Sequence, residues 1–292
     1  MRAPRVFMVL LALALLAWAT PARAGARLEC PAEVGQGLPF FVRVVADEAP
    51  GAVDLEFGSV RARVEPREGG GGWEALTLLG TNLEAAPGPV RLVARLAGPG
   101  GPLVLEREVR VVDRSFPEQR LSVAREMVHL TPEARARHEA ERAEVRRVLA
   151  DVSRPRAWGG EFVRPVPGAV SSAFGLRRFF NGEPRAPHRG VDLRGPEGQP
   201  VLAMAAGTVV LAAQHYFAGG SVYVDHGQGL VSMYFHLSEL LVRPGDALAA
   251  GDVLGRVGST GRVTGPHLHF GLAVYGELVD PMPLVTGSLR PE

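Results

Sequence analysis

Apolar and polar residues alternate along short runs between about residues 26 and 113, and glycine or proline divides the runs. The segments 40–45, 53–57, 60–64, 73–79, 90–96 and 103–112 therefore read as strands, since period-two alternation puts every second side chain on one face. Val90-Arg-Leu-Val-Ala-Arg and Glu106-Arg-Glu-Val-Arg-Val show the partial alternation of half-buried strands. Strands of this number and length suit an immunoglobulin-like β-sandwich, here without the Cys…Trp…Cys signature. The stretch contains no histidine and nothing in it reads as catalytic.

The pattern changes after residue 116. Thr131 reads as a helix N-cap with Pro132 at the first helical position. Residues 133–151 are rich in Ala, Glu and Arg, lack Gly and Pro, and stop before Pro155. Charge on most faces leaves at best a narrow apolar stripe, so this is a solvated arm between two domains. His129 and His138 belong to it but to no motif.

From Gly160 onward strands and tight turns return. The runs 201–205, 208–213, 221–224, 231–235 and 268–274 are apolar or alternating, and Gly-rich turns separate them. The expectation is an antiparallel all-β domain whose loops gather at one end around a cleft. In all, the chain reads as mostly β: a leader segment at 1–24, a β-domain at 25–115, a linker with a helix at 116–160 and a second β-domain at 161–292.

Chemistry concentrates in this last part. In Gly265-Pro-His-Leu-His-Phe-Gly, His267 and His269 sit two apart and so share one strand face. Two imidazoles on a short apolar strand are costly to desolvate unless something binds them, and a metal ion is the usual ligand. His188 and Asp192, in His-Arg-Gly-Val-Asp, form a second ligand-like pair, and His236 lies between the two. A catalytic zinc needs three protein ligands and an open position for water. His188, Asp192 and one histidine of the pair would supply it, leaving the other histidine to take a proton and His236 to bond a tetrahedral intermediate. Spacing alone leaves open which of His267 and His269 is the ligand. His226 sits in a turn and reads as structural, and His215 heads the loop through Phe217.

Composition narrows the setting. The net charge of +1 gives no support to a nucleic-acid partner. Every basic side chain besides histidine is arginine, which looks like codon bias rather than a phosphate-binding surface. Arg2 and Arg5 precede an apolar stretch at 6–19 too short to span a bilayer, and Ala22-Arg-Ala follows: a secretory signal peptide over 1–24. Membrane contact is then confined to export. Cys30, the single cysteine, is a lone thiol with no partner for a disulfide within one chain.

His188 with Gly190-Val-Asp, Met233-Tyr-Phe-His-Leu, Gly258-Ser-Thr-Gly and Gly265-Pro-His-Leu-His-Phe together resemble the lysostaphin-type (LytM-like) zinc endopeptidases. The likeness covers roughly residues 163–284. The Phe174-Gly-Leu-Arg-Arg-Phe-Phe-Asn-Gly segment and the N-terminal β-domain are similar to Gram-negative periplasmic members. The resemblance implies a secreted, periplasmic hydrolase of peptidoglycan stem-peptide cross-links, with Zn2+ held by His188, Asp192 and His269. It also implies His267 as general base and His236 as stabiliser of the oxyanion. The alternative within it is a non-hydrolysing regulator of a separate wall amidase, a class that usually lacks part of the ligand set. Some members carry a tyrosine ahead of the first ligand, where this chain has Phe179 and Phe180. Arg189 replaces a commonly smaller residue and is expected to narrow or charge the groove. Latent relatives cover the groove with upstream chain, so intramolecular inhibition by the N-terminal domain is a further expectation; otherwise that domain is a spacer or a binding module.

Overall fold

The computed structural model describes residues 25–69, 72–98, 101–123, 129–153 and 155–291. The signal segment expected at 1–24 lies outside the described residues. Of the described residues, strands take up 48% and helix 9%, the mostly β class expected.

The N-terminal part is a two-sheet sandwich. One sheet runs in the order Ala26–Glu29, Pro39–Ala46, Gly72–Gly80, Arg67–Gly69. The other runs Glu33–Gly35, Gly101–Val112, Gly88–Gly98, Val53–Phe57, Val60–Val64. Val60–Val64 shows why the sequence was legible: Val60, Ala62 and Val64 are buried while Arg61 and Arg63 face solvent. Phe40, Val42, Leu55, Phe57, Leu92 and Val109 form the core between the sheets.

Pro39–Ala46 and Gly72–Gly80 are buried on both faces. Their outward residues Phe41, Leu76 and Leu78 join a second core with Trp158, Val274 and Val279 of the C-terminal part. Gly80 is needed there, because a Cβ would lie 2.6 Å from Val279 Cγ1. The Thr77 and Tyr275 hydroxyls stand 3.1 Å apart, and Asn82 Nδ2 donates to Glu277 Oε2 at 2.8 Å.

Helix α1, Pro132–Ala150, starts as expected: the Thr131 hydroxyl accepts from the Ala134 amide at 3.2 Å and proline opens the first turn. None of its residues is buried. Its narrow stripe of Val145, Val148 and Leu149 packs on Leu211, Tyr223, Val231 and Met233 of the C-terminal sheet.

That sheet runs Val170–Ser172, Val191–Arg194, His267–Val274, Leu230–Leu237, Gly219–Asp225, Gly207–His215, Ala247–Leu248, with neighbouring strands antiparallel. Alternation divides its two faces. Leu193, Leu268, Phe270, Leu272, Tyr234 and Val222 fill the core on one side. Asp192, His267, His269, Phe235, Met233 and Tyr223 point to the other side, the side on which α1 lies.

The structure differs from the sequence reading in two places. The strand expected over 201–205 stops at Leu202. Ala203, Met204 and Ala205 instead form a buried turn whose Met204 amide donates to the Tyr234 hydroxyl at 2.9 Å, so they are apolar because the turn itself is in the core. Secondly, Glu118–Leu121, inside the expected linker, pairs in parallel with Arg177–Phe180. Among the described residues α2, Met282–Val285, is the other helix.

Candidate metal centre

Two adjacent strands set up the site. Val191–Arg194 pairs with His267–Val274 so that Asp192 is opposite His269 and Arg194 opposite His267. His188 enters from the loop just before the first of these strands. Its amide donates to Leu176 O, and its carbonyl accepts from the Gly175 amide at 2.7 Å. Three potential ligand atoms converge as a result. His188 Nε2 is 3.0 Å from Asp192 Oδ1, His269 Nδ1 is 2.8 Å from the same oxygen, and the two nitrogens are 2.9 Å apart. Among the described residues this trio is the group of side chains able to hold a metal ion.

The surroundings hold each of these side chains in the orientation a ligand needs. His188 Nδ1 donates to Ala173 O at 2.9 Å, which fixes the tautomer with its lone pair on Nε2. Asp192 Oδ2, the oxygen turned away from the trio, accepts from Arg178 Nη2 at 2.9 Å. Phe235 stacks on the His269 ring at 5.3 Å, with the planes 4° apart. Gly190 leaves room for that ring, as a Cβ there would sit 2.6 Å from His269 Nε2.

Electrostatics agree with this arrangement. Burial, partly offset by the Asp192 hydrogen bond, pushes the His188 imidazole down to about 4. Burial acts to raise the Asp192 carboxyl, but the His188 and His269 imidazoles that face it outweigh burial and hold the group well below the usual carboxylate range. At neutral pH the trio therefore offers a neutral imidazole and an ionised carboxylate, the states a metal requires.

His267 and His236 stand beside the trio. His267 Nε2 is 3.7 Å from Asp192 Oδ1, while its Nδ1 donates to Gly265 O at 2.8 Å. Regular alternation would send His236 to the opposite face from Phe235. A bulge opposite Ser221 and a left-handed backbone (φ 65°) at His236 turn it back, so its ring centre lies 5.0 Å from that of His267. His236 Nδ1 donates to Thr260 O at 2.9 Å, and burial, with the His269 and His267 imidazoles beside it, lowers its pKa to about 3.

His267 borders two depressions. One, of about 230 Å³, also touches His236, Phe180, Arg178, Leu121 and Val123; the other, of about 510 Å³, touches Ser171, Arg194 and Thr264. In the lining of the first, the Arg262 guanidinium packs on the Phe217 and Phe180 rings, 4.0 and 4.7 Å from their centres. Burial, with Arg178 and Arg185 nearby, lowers its pKa to about 10.

The remaining histidines lie apart from the trio. His226 is fully buried, its Nδ1 donating to Ala206 O and its Nε2 2.7 Å from Ser232 Oγ. His215 is buried under α1 with Nε2 3.8 Å from Glu144 Oε2. His138 sets its ring against Phe217, and His129 lies 3.2 Å from Glu183 at the surface. Arg189 binds Glu84 of the sandwich at 2.6 Å. Arg178 was not singled out as a site residue from sequence, because its role depends on the fold of the loop that leads to His188.

An antiparallel sheet that brings Asp192 and His269 together with His188 from the loop before it is a scaffold for metal-dependent chemistry. Residues 186–281 match the sequence profile of Peptidase family M23. A crystal structure from Pseudomonas aeruginosa assigned to peptidase M23 is 31% identical, covering 86% of this chain and 95% of its own, with a TM-score of 0.65. The chain belongs to peptidase family M23. It is also 43% identical over 114 residues to peptidoglycan DD-endopeptidase ShyA of Vibrio cholerae, covering 39% of this chain and 26% of that protein. Over 125 residues it is 37% identical to the DD-carboxypeptidase/endopeptidase Mpg of Neisseria meningitidis, covering 42% and 29%. The matches thus span about a quarter of the length of these curated relatives.

Proposed function

We propose that the chain is a periplasmic zinc endopeptidase that hydrolyses the peptide cross-links of peptidoglycan. The observation that carries this reading is the convergence of His188 Nε2, Asp192 Oδ1 and His269 Nδ1 within 3.0 Å of one another. The set fits zinc: two imidazole nitrogens and a carboxylate are the donors of many zinc hydrolases, and the outer atoms of His188 and Asp192 are already bonded by Ala173 and Arg178. Bound there, zinc would lower the pKa of a water to about 7 and polarise a peptide carbonyl.

The chain's own residues handle the protons. His267 gives its Nδ1 hydrogen to Gly265 O, so Nε2, turned toward the trio, carries the lone pair of a general base. His236 is in the same state, with Nδ1 donating to Thr260 O. It is assigned to the developing oxyanion, a role that requires the tautomer with its hydrogen on Nε2 and release of the Thr260 bond. The two depressions on either side of His267 give an extended peptide a path across the site. The named activities of the relatives in Vibrio and Neisseria support peptidoglycan as the substrate.

Access belongs to the same reading. Leu121 and Val123 border the site, and α1 lies on the sheet face that carries His269. Upstream chain therefore restrains entry, a form of intramolecular inhibition.

The test uses mature protein and purified cross-linked muropeptide dimers, with and without chelator, read by mass spectrometry. Conversion to monomers, stopped by chelator and restored by zinc, is expected. Cleavage by the isolated catalytic domain alone would point to the intramolecular restraint, whereas intact dimers with both proteins, zinc confirmed bound in each, would overturn the hydrolase reading in favour of a non-hydrolysing wall-amidase regulator.

A further inference from the structure

The support of the trio extends beyond the C-terminal sheet. Glu118–Leu121 belongs to the segment that joins the sandwich to α1, and it pairs in parallel with Arg177–Phe180, placing Gln119 opposite Arg178. Backbone bonds hold it there: Arg177 N donates to Pro117 O, Asn181 N to Leu121 O, and the Asn181 side chain bonds both the amide and the carbonyl of Val123. From this position Gln119 Oε1 accepts from Arg178 Nε at 3.1 Å and from Ser172 Oγ at 3.1 Å.

Both donors lead to the trio. Arg178 Nη2 donates to Asp192 Oδ2 at 2.9 Å and to Ser172 Oγ at 3.2 Å. Ser172 is buried, lies opposite Asp192 in the sheet, and its Oγ is 3.3 Å from His188 Nδ1. Arg178 is largely buried, and its planar fork can be aimed at Asp192 only while its Nε edge is held as well. Gln119 supplies that hold and completes a closed ring with Arg178 and Ser172.

We propose that Gln119 is a positioning residue for the metal centre, acting on Asp192 through Arg178, and that the strand before α1 is a working part of the site. The proposal rests on the reading of His188, Asp192 and His269 as ligands. The same strand that borders the groove thus also props up the site inside it. Excising the upstream chain through residue 155 would remove the restraint and the prop together.

Both bonds end on the amide oxygen, which dictates the variants. Gln119→Leu removes the acceptor at similar size, and Gln119→Glu keeps an oxygen at the same reach. Glu118→Ala, on the exposed side of the same strand, is the control. Zinc affinity of the full mature chain is measured by competition with a chromophoric chelator, together with the visible spectrum of the cobalt-loaded protein. Loss of an outer partner of a ligand typically weakens metal binding about 10- to 100-fold. Gln119→Leu, one bond further out, should fall at the lower end of that range, about tenfold, and alter the cobalt bands, while Gln119→Glu and Glu118→Ala stay within about threefold of the parent. If Gln119→Leu binds zinc and cobalt like the parent while Asp192→Ala has lost zinc, the positioning role is wrong and the ligand reading stands. If Asp192→Ala keeps its zinc, the ligand reading itself fails.

Discussion

Replacing Gly190 with alanine would add one methyl group at the most crowded point of the site. The nearest heavy atoms to the new Cβ are His269 Nε2 at 2.6 Å, His269 Cε1 at 2.8 Å and the Phe270 carbonyl oxygen at 2.8 Å. Gly190 is not in the left-handed region, so the obstacle is space rather than conformation. The backbone cannot yield easily, since Val191 and Asp192 pair with Phe270 and His269 in the next two positions. The ring must retreat by about 1 Å to regain ordinary contact, and Phe235 stacked on it opposes the movement. Metal sites hold their donor distances to about 0.2 Å, so His269 Nδ1 would be pulled out of place. Overpacking of this kind costs about 1–3 kcal/mol. If the cost falls on the loaded site, zinc affinity drops about 5- to 150-fold. Competition against a chromophoric chelator reads that loss, and the unfolding midpoint of metal-free protein shows how much falls on the fold instead. Zinc binding within about twofold of the parent, at an unchanged midpoint, would refute the idea that Gly190 is there to clear the ring.

Three other expectations follow from the geometry. His269→Ala and Asp192→Ala should lose both zinc and activity, whereas His267→Ala should keep its zinc and lose about 10²- to 10⁴-fold in turnover; zinc loss in His267→Ala would mean the two histidines are reversed. Glu141 on α1 accepts from the Tyr216 amide at 2.9 Å, so Glu141→Ala should loosen α1 and raise muropeptide cleavage; equal or lower cleavage counts against the restraint. Burial lowers His226 to about 4 in the folded chain, below the ordinary histidine value, so the unfolded chain binds the extra proton between those limits. Stability should therefore be full above about pH 6.5 and decline by about 3 kcal/mol as pH falls toward 4, an acid slope that urea titrations of His226→Gln should show flattened.

Much of the fold was legible because sandwich strands such as Val60–Val64 bury one face, which writes the structure into the sequence as alternation. That Asp192, His267 and His269 gather at one place was legible for the same reason, since the two histidines share a strand face and Asp192 pairs opposite His269; His188 arrives from a loop, and the choice of His269 over His267 as ligand came from the resemblance alone. His236 shows where that logic stops. Its approach to His267 depends on a bulge and a left-handed backbone that alternation alone would contradict. Arg178 and Gln119 lay beyond reach for another reason. Their roles arise from a parallel pairing across 59 positions of sequence separation, and neither side chain belongs to a periodic pattern. The run through Met204 misled because an apolar stretch marks burial, and a buried turn fills a core as well as a strand does.

Phe41, Leu76 and Leu78 set one face of the sandwich into the core of the C-terminal part, and Thr77, Asn82 and Glu84 bond across the same boundary. A boundary of this kind acts as a weld rather than a hinge. The two halves should melt in a single step, and the groove should keep a fixed bearing relative to the sandwich when the molecule meets a surface. On a meshwork whose strands run in preferred directions, the attitude in which the sandwich comes to rest then selects which crossing points the groove can straddle.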